Sequence, residues 1–482
     1  METGRRQPSA AWTWVAALVG VFMVAVDTLV VTTALPEMQR HLNVGMSGLE
    51  WIVNSYTLTF AVFLLVGAAL GDRFGRRLLL GVGLVIFTGA SALAAAAPNL
   101  GTLAGSRALQ GFGAAIIMPL TMTLLASVVP AEKRGHAFGL WGAMVGLGIA
   151  LGPVVGGSIT EALSWQWIFW INVPIGVLLL LIMPLVRESR GGAGRLDPLG
   201  TLLITVGLFG VVYGLIRGAE LGWDDPTILT GLIGGGVLVL AFAFWERHAA
   251  APMVLPSLFR SRGFTLTTVI AMIMPFGAFA AVFLGAQYLQ TIMGYSPLEA
   301  GVRTLPMTAM PLIAAPLSGR LSDKIGGKPL VVLGLALLSA GIGWIGLIAT
   351  PDLPYGDLVP PFILAGFGLG LFMPAVAALA INFAPANLDG VASGVTNAVR
   401  QVGTVLGVAV AGVMFAEYGG FSSPQSFVDG LVAAHEVAAV ALAVGLLVAL
   451  FIPRSRPQGH GHGHGAGEHS AAPAPELVGV KG

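Results

Sequence analysis

The sequence predicts an all-α integral membrane protein with fourteen transmembrane helices, arranged as two six-helix pseudo-symmetric bundles plus an inserted helix pair. Three observations carry that expectation. Apolar residues make up 56% of the chain and charged residues 10%, with a mean hydropathy of +0.86, a balance typical of polytopic membrane proteins and foreign to soluble domains. Fourteen apolar runs follow one another, each able to cross a hydrocarbon core that needs about 20 residues of helix. A short glycine-and-charge turn also occurs twice, with its aspartates at positions 72 and 323.

The runs fall at 12–34, 51–71, 78–97, 101–128, 137–159, 168–186, 199–216, 226–245, 264–290, 298–320, 329–349, 359–384, 390–416 and 431–452. The first carries Asp27 and is too long for the apolar part of a signal peptide, so it reads as a span. An even number of spans puts both termini on one side. With the N-terminus inside, the inner segments hold Arg5, Arg6, Arg73, Arg76, Arg77, Lys133, Arg134, Arg187, Arg190, Arg195, Arg247, Arg260, Arg262, Arg320, Lys324, Lys328, Arg454, Arg456 and Lys481. Those nineteen stand against three outside, Arg40, Arg217 and Arg303, which is a strong positive-inside bias. The expected location is a bacterial inner (plasma) membrane with both termini cytoplasmic.

The repeated turn reads Gly67-x-x-x-x-Asp72-Arg73-x-Gly75-Arg76-Arg77 after the second run and Gly319-x-x-x-Asp323-Lys324-x-Gly326-Gly327-Lys328 after the tenth. An internal repeat of this kind implies duplicated bundles. The expected organisation is a bundle over 1–190, an inserted pair (the seventh and eighth runs) with its links over 191–262, a second bundle over 263–453, and a disordered His/Gly-rich tail over 454–482. The inserted pair has few embedded polar groups and is expected at the periphery. In the tail, His460, His462, His464 and His469 read as compositional drift or as a loose divalent-metal binder, with no fixed metal site. The 68 glycines suit helices that pack closely in lipid.

Several chemistries are excluded. No cysteine is present, which removes disulfides, thiolate nucleophiles and cysteine-ligated metal centres. No phosphate-binding loop of the G-x-x-x-x-G-K-[ST] type occurs, so ATP hydrolysis is not expected. No cofactor, nucleic acid or enzymatic site is expected either. The expected partners are a small-molecule substrate, protons and the lipid bilayer, with the protein a monomer.

Arg107 is the most informative residue. It sits in Leu103-x-x-x-Arg107-x-x-Gln110-Gly111-x-Gly113-Ala114-Ala115, inside an otherwise apolar helix. An arginine at bilayer depth costs at least about 2.5–3.5 kcal/mol, so it needs a protein or water-filled interior and a partner. Asp27, the carboxylate well inside the first run, is the best candidate.

Taken in order, five motifs together resemble the fourteen-helix drug:proton antiporter branch of the major facilitator superfamily, of the multidrug efflux type. They are Asp27-Thr28 with Ala34-Leu35-Pro36; the Asp72–Arg77 turn; the Arg107–Gly113 stretch; Gly148-x-x-x-Gly152-Pro153-x-x-Gly156-Gly157; and Trp167-Ile168-Phe169-Trp170-Ile171-Asn172-Val173-Pro174-Ile175-Gly176. Tyr288-Leu289-Gln290 with Gly294-Tyr295-Ser296-Pro297-x-x-Ala300-Gly301 is similar to this branch too. Two departures are Ala68, where the turn usually has glycine, and Gln166, where arginine is frequent.

The resemblance implies a proton-coupled exporter of amphiphilic molecules working by alternating access, with Asp27 and Arg107 in proton coupling. A permanent structural ion pair is the competing reading. It implies that Asp72, Arg73, Gly75, Arg76 and Arg77, with Asp323 and Lys324, latch the halves on the cytoplasmic side; alternatively the arginines only bias the loop inward. The glycine run, Gly148, Gly152, Pro153, Gly156 and Gly157, is implied to seal against a helix of the other half, where ordinary small-residue packing is the plainer account. Substrate-cavity candidates are Asn54, Tyr56, Met118, Trp141, Gln287, Tyr288, Phe372 and Arg400, the last clustered with Asn397 and Gln401 or else snorkelling. His435 and Glu436 are expected in a solvated interfacial position. A dedicated exporter of one endogenous metabolite, such as an antibiotic or siderophore, fits the sequence equally in kind; a receptor or intramembrane enzyme lacks supporting residues.

Overall fold

The computed structural model describes residues 9–130, 134–190, 197–250, 252–385 and 388–453, and every element among them is helical. The tail and its histidines lie outside the described residues. Helix α1 (Ala10–Val30) starts where the Ser9 side chain accepts from the Trp12 amide. After the short α2 (Leu35–Leu42) come α3 (Met46–Phe74) and α4 (Arg76–Ala95). A single residue separates the latter two, Gly75 at φ +110°, a backbone region that side chains disfavour. Then follow α5 (Leu100–Val128), capped by Asn99, and α6 (Arg134–Ala162). The pieces α7 (Trp167–Trp170) and α8 (Asn172–Ile182) together make one apolar span, Trp167–Leu185.

The next stretch holds α9 (Pro198–Leu221), α10 (Pro226–Leu229) and α11 (Gly235–Trp245). Helix α9 packs on both α3 and α18 (Asp389–Tyr418), while α11 packs on α9 and leaves Val237, Leu240 and Phe244 exposed. The chain closes with α12 (Arg262–Gln287), α13 (Pro297–Arg303), α14 (Leu305–Thr308), α15 (Met310–Ile325), α16 (Gly327–Ile348), α17 (Tyr355–Asn382), α18 and α19 (Pro424–Leu450). Gly326, at φ +81°, separates α15 from α16 as Gly75 separates α3 from α4.

Among the described residues, thirteen helices are long and apolar enough to cross a membrane. The expected run at 298–320 is not one of them, because it is broken into α13, α14 and α15. Pro306 and Pro311 lack the amide that an unbroken helix needs, and their rings crowd the preceding turn. The broken segment is supported from outside instead. Gly366 and Gly370 of α17 bring that helix's backbone against Met307, Pro311 and Ala314, and the Ser318 hydroxyl donates to the Leu371 carbonyl at 2.6 Å.

Packing differs between the two ends of the molecule. At the end remote from Gly75, Val26, Val30, Leu49, Leu103 and Trp165 share a continuous apolar core with Leu284, Leu289, Ala300 and Leu431, and in the second half that core runs on to Leu379 and Ile452. Towards the Gly75 end, Val21, Phe60, Leu84 and Leu120 form a separate core drawn from α1–α8. The α6 contact with the broken segment shows the same gradient. It runs from Glu161, which accepts from the Leu298 amide at 3.1 Å, to Gly146 against Leu312. Beyond that, Gly142 and Gly139 of α6 and Gly319 of α15 have no neighbour within 4 Å of an added Cβ among the described residues.

Helices α9 and α11 are tied at their Gly75 end. The Trp245 indole donates to Asp197 at 2.9 and 3.0 Å, and the Val254 amide donates to Glu246 Oε2 at 2.9 Å. Burial raises the Glu246 carboxyl above its ordinary range; the Val254 and Met253 amides oppose that shift, and the adjacent Asp197 adds to it. Ionised Glu246 therefore opposes folding at neutral pH, and the penalty vanishes once pH falls below the ordinary glutamate value of about 4.3. Glu246→Gln is expected to raise the melting temperature of the detergent-solubilised protein at pH 7.5, with the gain shrinking at pH 5; intrinsic-fluorescence melting curves at the two pH values measure this.

Candidate functional site

Polar groups inside an apolar bundle must satisfy one another, and the largest such cluster centres on Arg107, which is 1% exposed. Its Nη1 donates to Asp27 Oδ2 at 2.6 Å and to Gln110 Oε1 at 3.1 Å, and its Nε donates to the Ile52 carbonyl at 3.2 Å. Asp27, fully buried, also accepts from Gln110 Nε2 at 3.3 Å and from Asn172 Nδ2 at 2.9 Å. Gln110 Nε2 donates further to Ser91 Oγ at 2.7 Å. The Tyr56 ring lies 4.2 Å from the guanidinium carbon and that of Phe169 5.8 Å, within reach of the cation–π attraction. Side chains or carbonyls from α1, α3, α4, α5, α7 and α8 thus meet at one ion pair.

Helical spacing explains the convergence. On α5, Arg107 and Gln110 are three residues apart and share a face. On α3, Ile52 and Tyr56 are one turn apart and face α5, where Gly111 lets the Tyr56 backbone approach. The site lies far from Gly75: the 20 residues from Ile52 to Asp72 rise about 30 Å along α3.

The Asp72–Arg77 turn is bound within its own neighbourhood. Arg76 pairs with Asp72 at 2.8 Å and donates to Ser189 Oγ at 3.1 Å. The Arg77 amide donates to Glu188 Oε1 at 3.0 Å, and Gly75 leaves room for that carboxylate. Arg73 is exposed beside Phe74, and Lys324 is exposed as well. The side chain of Asp323 lies outside the described residues.

The glycine run departs from its expected partner. Gly148, Gly152 and Gly156 pack on α1, against Ala25, Leu29 and Val30. The other half is met on a different face: Gly157 abuts Pro297 and Leu298, the Pro153 carbonyl abuts Gly301 while accepting from Thr33 Oγ1 at 3.3 Å, and the Ala150 carbonyl accepts from Thr308 Oγ1 at 3.4 Å. The run therefore seats α6 on α1 first, because four-residue spacing keeps those glycines on one face.

The cavity candidates do not gather in one place. Asn54, Gln287 and Phe372 are fully buried, and Tyr56, Tyr288 and Met118 nearly so. Tyr288 donates to the Thr350 carbonyl at 2.6 Å, Trp141 donates to Thr121 Oγ1 at 3.1 Å, and Gln287 donates to its own helix at Phe283. Arg400 donates to Asn397 Oδ1 at 2.7 Å, half-buried rather than extended to a surface. His435 corrects the expectation of a solvated position: it is 2% exposed and bonded to the Leu431 carbonyl, because α19 packs on α16 at Gly346, whereas Glu436 is exposed.

Sequence reasoning assigned no role to Ser91, Gln110, Asn172 or Glu50. Gln110 and Asn172 bond the ion pair directly, and Ser91 accepts from Gln110. Their signal was present, since a lone amide in an apolar helix must find a partner. Glu50, 2% exposed, stands one position before the second apolar run.

The model for the Major Facilitator Superfamily matches residues 17–408 and 281–478. The chain is 36% identical to a puromycin resistance protein of Streptomyces alboniger over 457 residues, covering 92% of this chain and 90% of that protein. It is also 36% identical to a tetracenomycin C resistance and export protein of Streptomyces glaucescens, covering 86% and 78%. A methylenomycin A resistance protein of Bacillus subtilis is 33% identical, covering 86% and 90%. In fold, the chain is similar to a D-xylose–proton symporter, with a TM-score of 0.65 at 18% identity, covering 93% and 98%. Another neighbour is an inward-facing bacterial homologue of a human lysosomal transporter, with a TM-score of 0.66 at 16% identity, covering 92% and 96%. The protein is a multi-pass membrane transporter, not an enzyme, and belongs to the Major Facilitator Superfamily.

Proposed function

We propose that the protein exports amphiphilic small molecules across a bacterial plasma membrane in exchange for protons, by alternating access between two six-helix bundles. The observation that carries the export reading is the end-to-end similarity to proteins named for drug resistance and export. The broken segment from α13 to α15 is read as a fourteenth crossing, which places both termini on the cytoplasmic side, in keeping with the lysine and arginine bias. Residues 1–190 and 263–453 form the bundles, and 191–262 the inserted pair. The Gly75 end is then cytoplasmic, and the arrangement described, tight at the outer end and parted between α6 and α15 at the inner end, is an inward-facing one.

The buried Asp27–Arg107 pair supplies the coupling. As a unit it has no net charge, so it tolerates burial; a proton arriving on Asp27 leaves Arg107 uncompensated, which is costly in a desolvated site. Every contact of the pair comes from α1–α8, so it moves with one bundle, and what changes during rocking is its access to water. In the inward-facing arrangement the Asp72 turn stays bound to Arg76 and to 188–189, and it is free to engage the second bundle when the inner end closes. Met118, Trp141 and Arg400 lie towards the inner half of their helices and are the cavity candidates best placed to meet substrate from that side.

A second reading, a dedicated exporter of one endogenous antibiotic or similar metabolite, is favoured by the name of the Streptomyces glaucescens relative, which links resistance to export of a single compound. In proteoliposomes with an imposed pH gradient, a lipophilic cationic dye is expected to move with the parent protein and to stop in Asp27→Asn and Arg107→Ala. Movement surviving both substitutions overturns the coupling assignment, and a parent that moves one metabolite from a panel but no dye supports the dedicated exporter. Arg107→Ala alone should destabilise the protein by about 3–5 kcal/mol, since it strands a buried charge. Adding Asp27→Asn should recover part of that loss, as read from melting in detergent.

A further inference from the structure

Glu50 is the fifth residue of α3, buried to 2% exposure. Among the described residues no arginine, lysine or histidine pairs with it. Its carboxylate lies directly against Gly412 of α18, where any side chain would occupy the same space. One helical turn along, Asn54 is fully buried with neither Oδ1 nor Nδ2 hydrogen-bonded among the described residues. Both stand on the stripe of α3 that continues through Leu58 and Val62 onto Val405 and Ala409 of α18, and on to Leu65 against Gly394. The opposite stripe, Ile52 and Tyr56, serves Arg107.

The surrounding charges do not supply a counter-ion. From α9, Glu220 is hydrogen-bonded to Ser47 and paired with Arg217 at 2.6 Å, so that cation is already engaged. From α18, Glu417 accepts from the Trp223 indole at 2.8 Å. Arg107 and Asp27, from α5 and α1, neutralise each other. On α2, Arg40 pairs with Glu37, and His41 accepts from the Trp165 indole. An ionised carboxylate without cation or donor is not tolerated in such a place, whereas a neutral carboxylic acid beside an unoccupied amide is.

We propose that Glu50 and Asn54 form a second proton site, separate from the Asp27–Arg107 pair, whose occupation is required for α3 to close on α18 at the outer end. When the helices part, a Glu50 oxygen meets outer water and takes up a proton. Closure buries the acid, with Asn54 Oδ1 available to accept from the new O–H and Nδ2 to donate to the carbonyl oxygen. Parting returns the proton to the same side, so the site gates the cycle without conducting. Acid outside thereby favours the outer-closed form. The inference rests on the exporter reading only for which end is outer.

The chain has no cysteine, so two can be introduced for spin labels at the outer ends of α3 and α18. Gly45→Cys fits, since nothing lies within 4 Å of an added Cβ there, and Tyr418→Cys is exposed. Pulsed dipolar distances in proteoliposomes between pH 5 and 9 should show the short-distance population falling as pH rises. Glu50→Gln should hold it high throughout, and Glu50→Asp should keep a response with a displaced midpoint. Asn54→Leu should move the midpoint to lower pH. The proposal is overturned if Glu50→Gln keeps the parent's pH dependence, if that dependence disappears in Asp27→Asn instead, or if the parent does not respond; should Glu50→Gln fail to assemble, an unmoved midpoint in Glu50→Asp overturns it. Absence of transport of both the dye and the metabolite panel, with an intact distance response, overturns the exporter reading alone.

Discussion

Burying the guanidinium of Arg107 is the constraint on which the first half of the molecule is built. A cation inside an apolar bundle must be matched in charge and saturated with acceptors, and here Asp27, Gln110 and the Ile52 carbonyl do so from three helices. From two more helices Asn172 donates to Asp27 and Ser91 accepts from Gln110, which holds those partners in place. This requirement fixes the rotation of α3, since the stripe holding Ile52 and Tyr56 must face α5. The other stripe is thereby committed to α18, which is how Glu50 and Asn54 come to lie between the two halves.

Close backbone approach is the second organising feature, and it is distributed unevenly. Small residues let α6 settle on α1 and then, at the end remote from Gly75, on α13; the same apolar core continues across both halves there. Towards Gly75 the first bundle's own core is drawn from α1–α8, α3 keeps contact with α18 through Leu65 and Gly394, and the charged turn satisfies itself locally through Arg76, Ser189 and Glu188. An ion pair within one turn is a weak lock on a surface. Its groups are therefore available to other partners at small cost.

What could be read from the chain follows from what is local. Run length and hydropathy located thirteen of the fourteen expected spans among the described residues, and a single arginine in an apolar run announced both its burial and its need for Asp27. Gly75 and Gly326 announced the sharp turns. Properties that depend on which face of a helix meets which neighbour were not legible: Gly148, Gly152 and Gly156 meet α1, and His435 is covered by α16. Asn54 and Tyr56, two residues apart, point to opposite sides of α3, so treating them as members of one cavity ignored the 100° step between successive residues. Glu50 escaped notice because a hydropathy boundary drawn at Trp51 treats it as an interfacial charge, although the helix begins at Met46. The breaks at Thr304 and Ala309 were foreshadowed by Pro306 and Pro311, which run-length reasoning does not weigh.

That broken segment has a mechanical consequence. A continuous helix resists bending through its own ladder of hydrogen bonds, but α13, α14 and α15 are joined where two rungs are missing. The stiffness of this strand of the bundle is consequently set by what leans on it, chiefly the glycine-lined flank of α17. Compliance is then concentrated at two joints, near Thr304 and Ala309, so α6 and α15 can part at one end while α6 and α13 remain pressed together at the other.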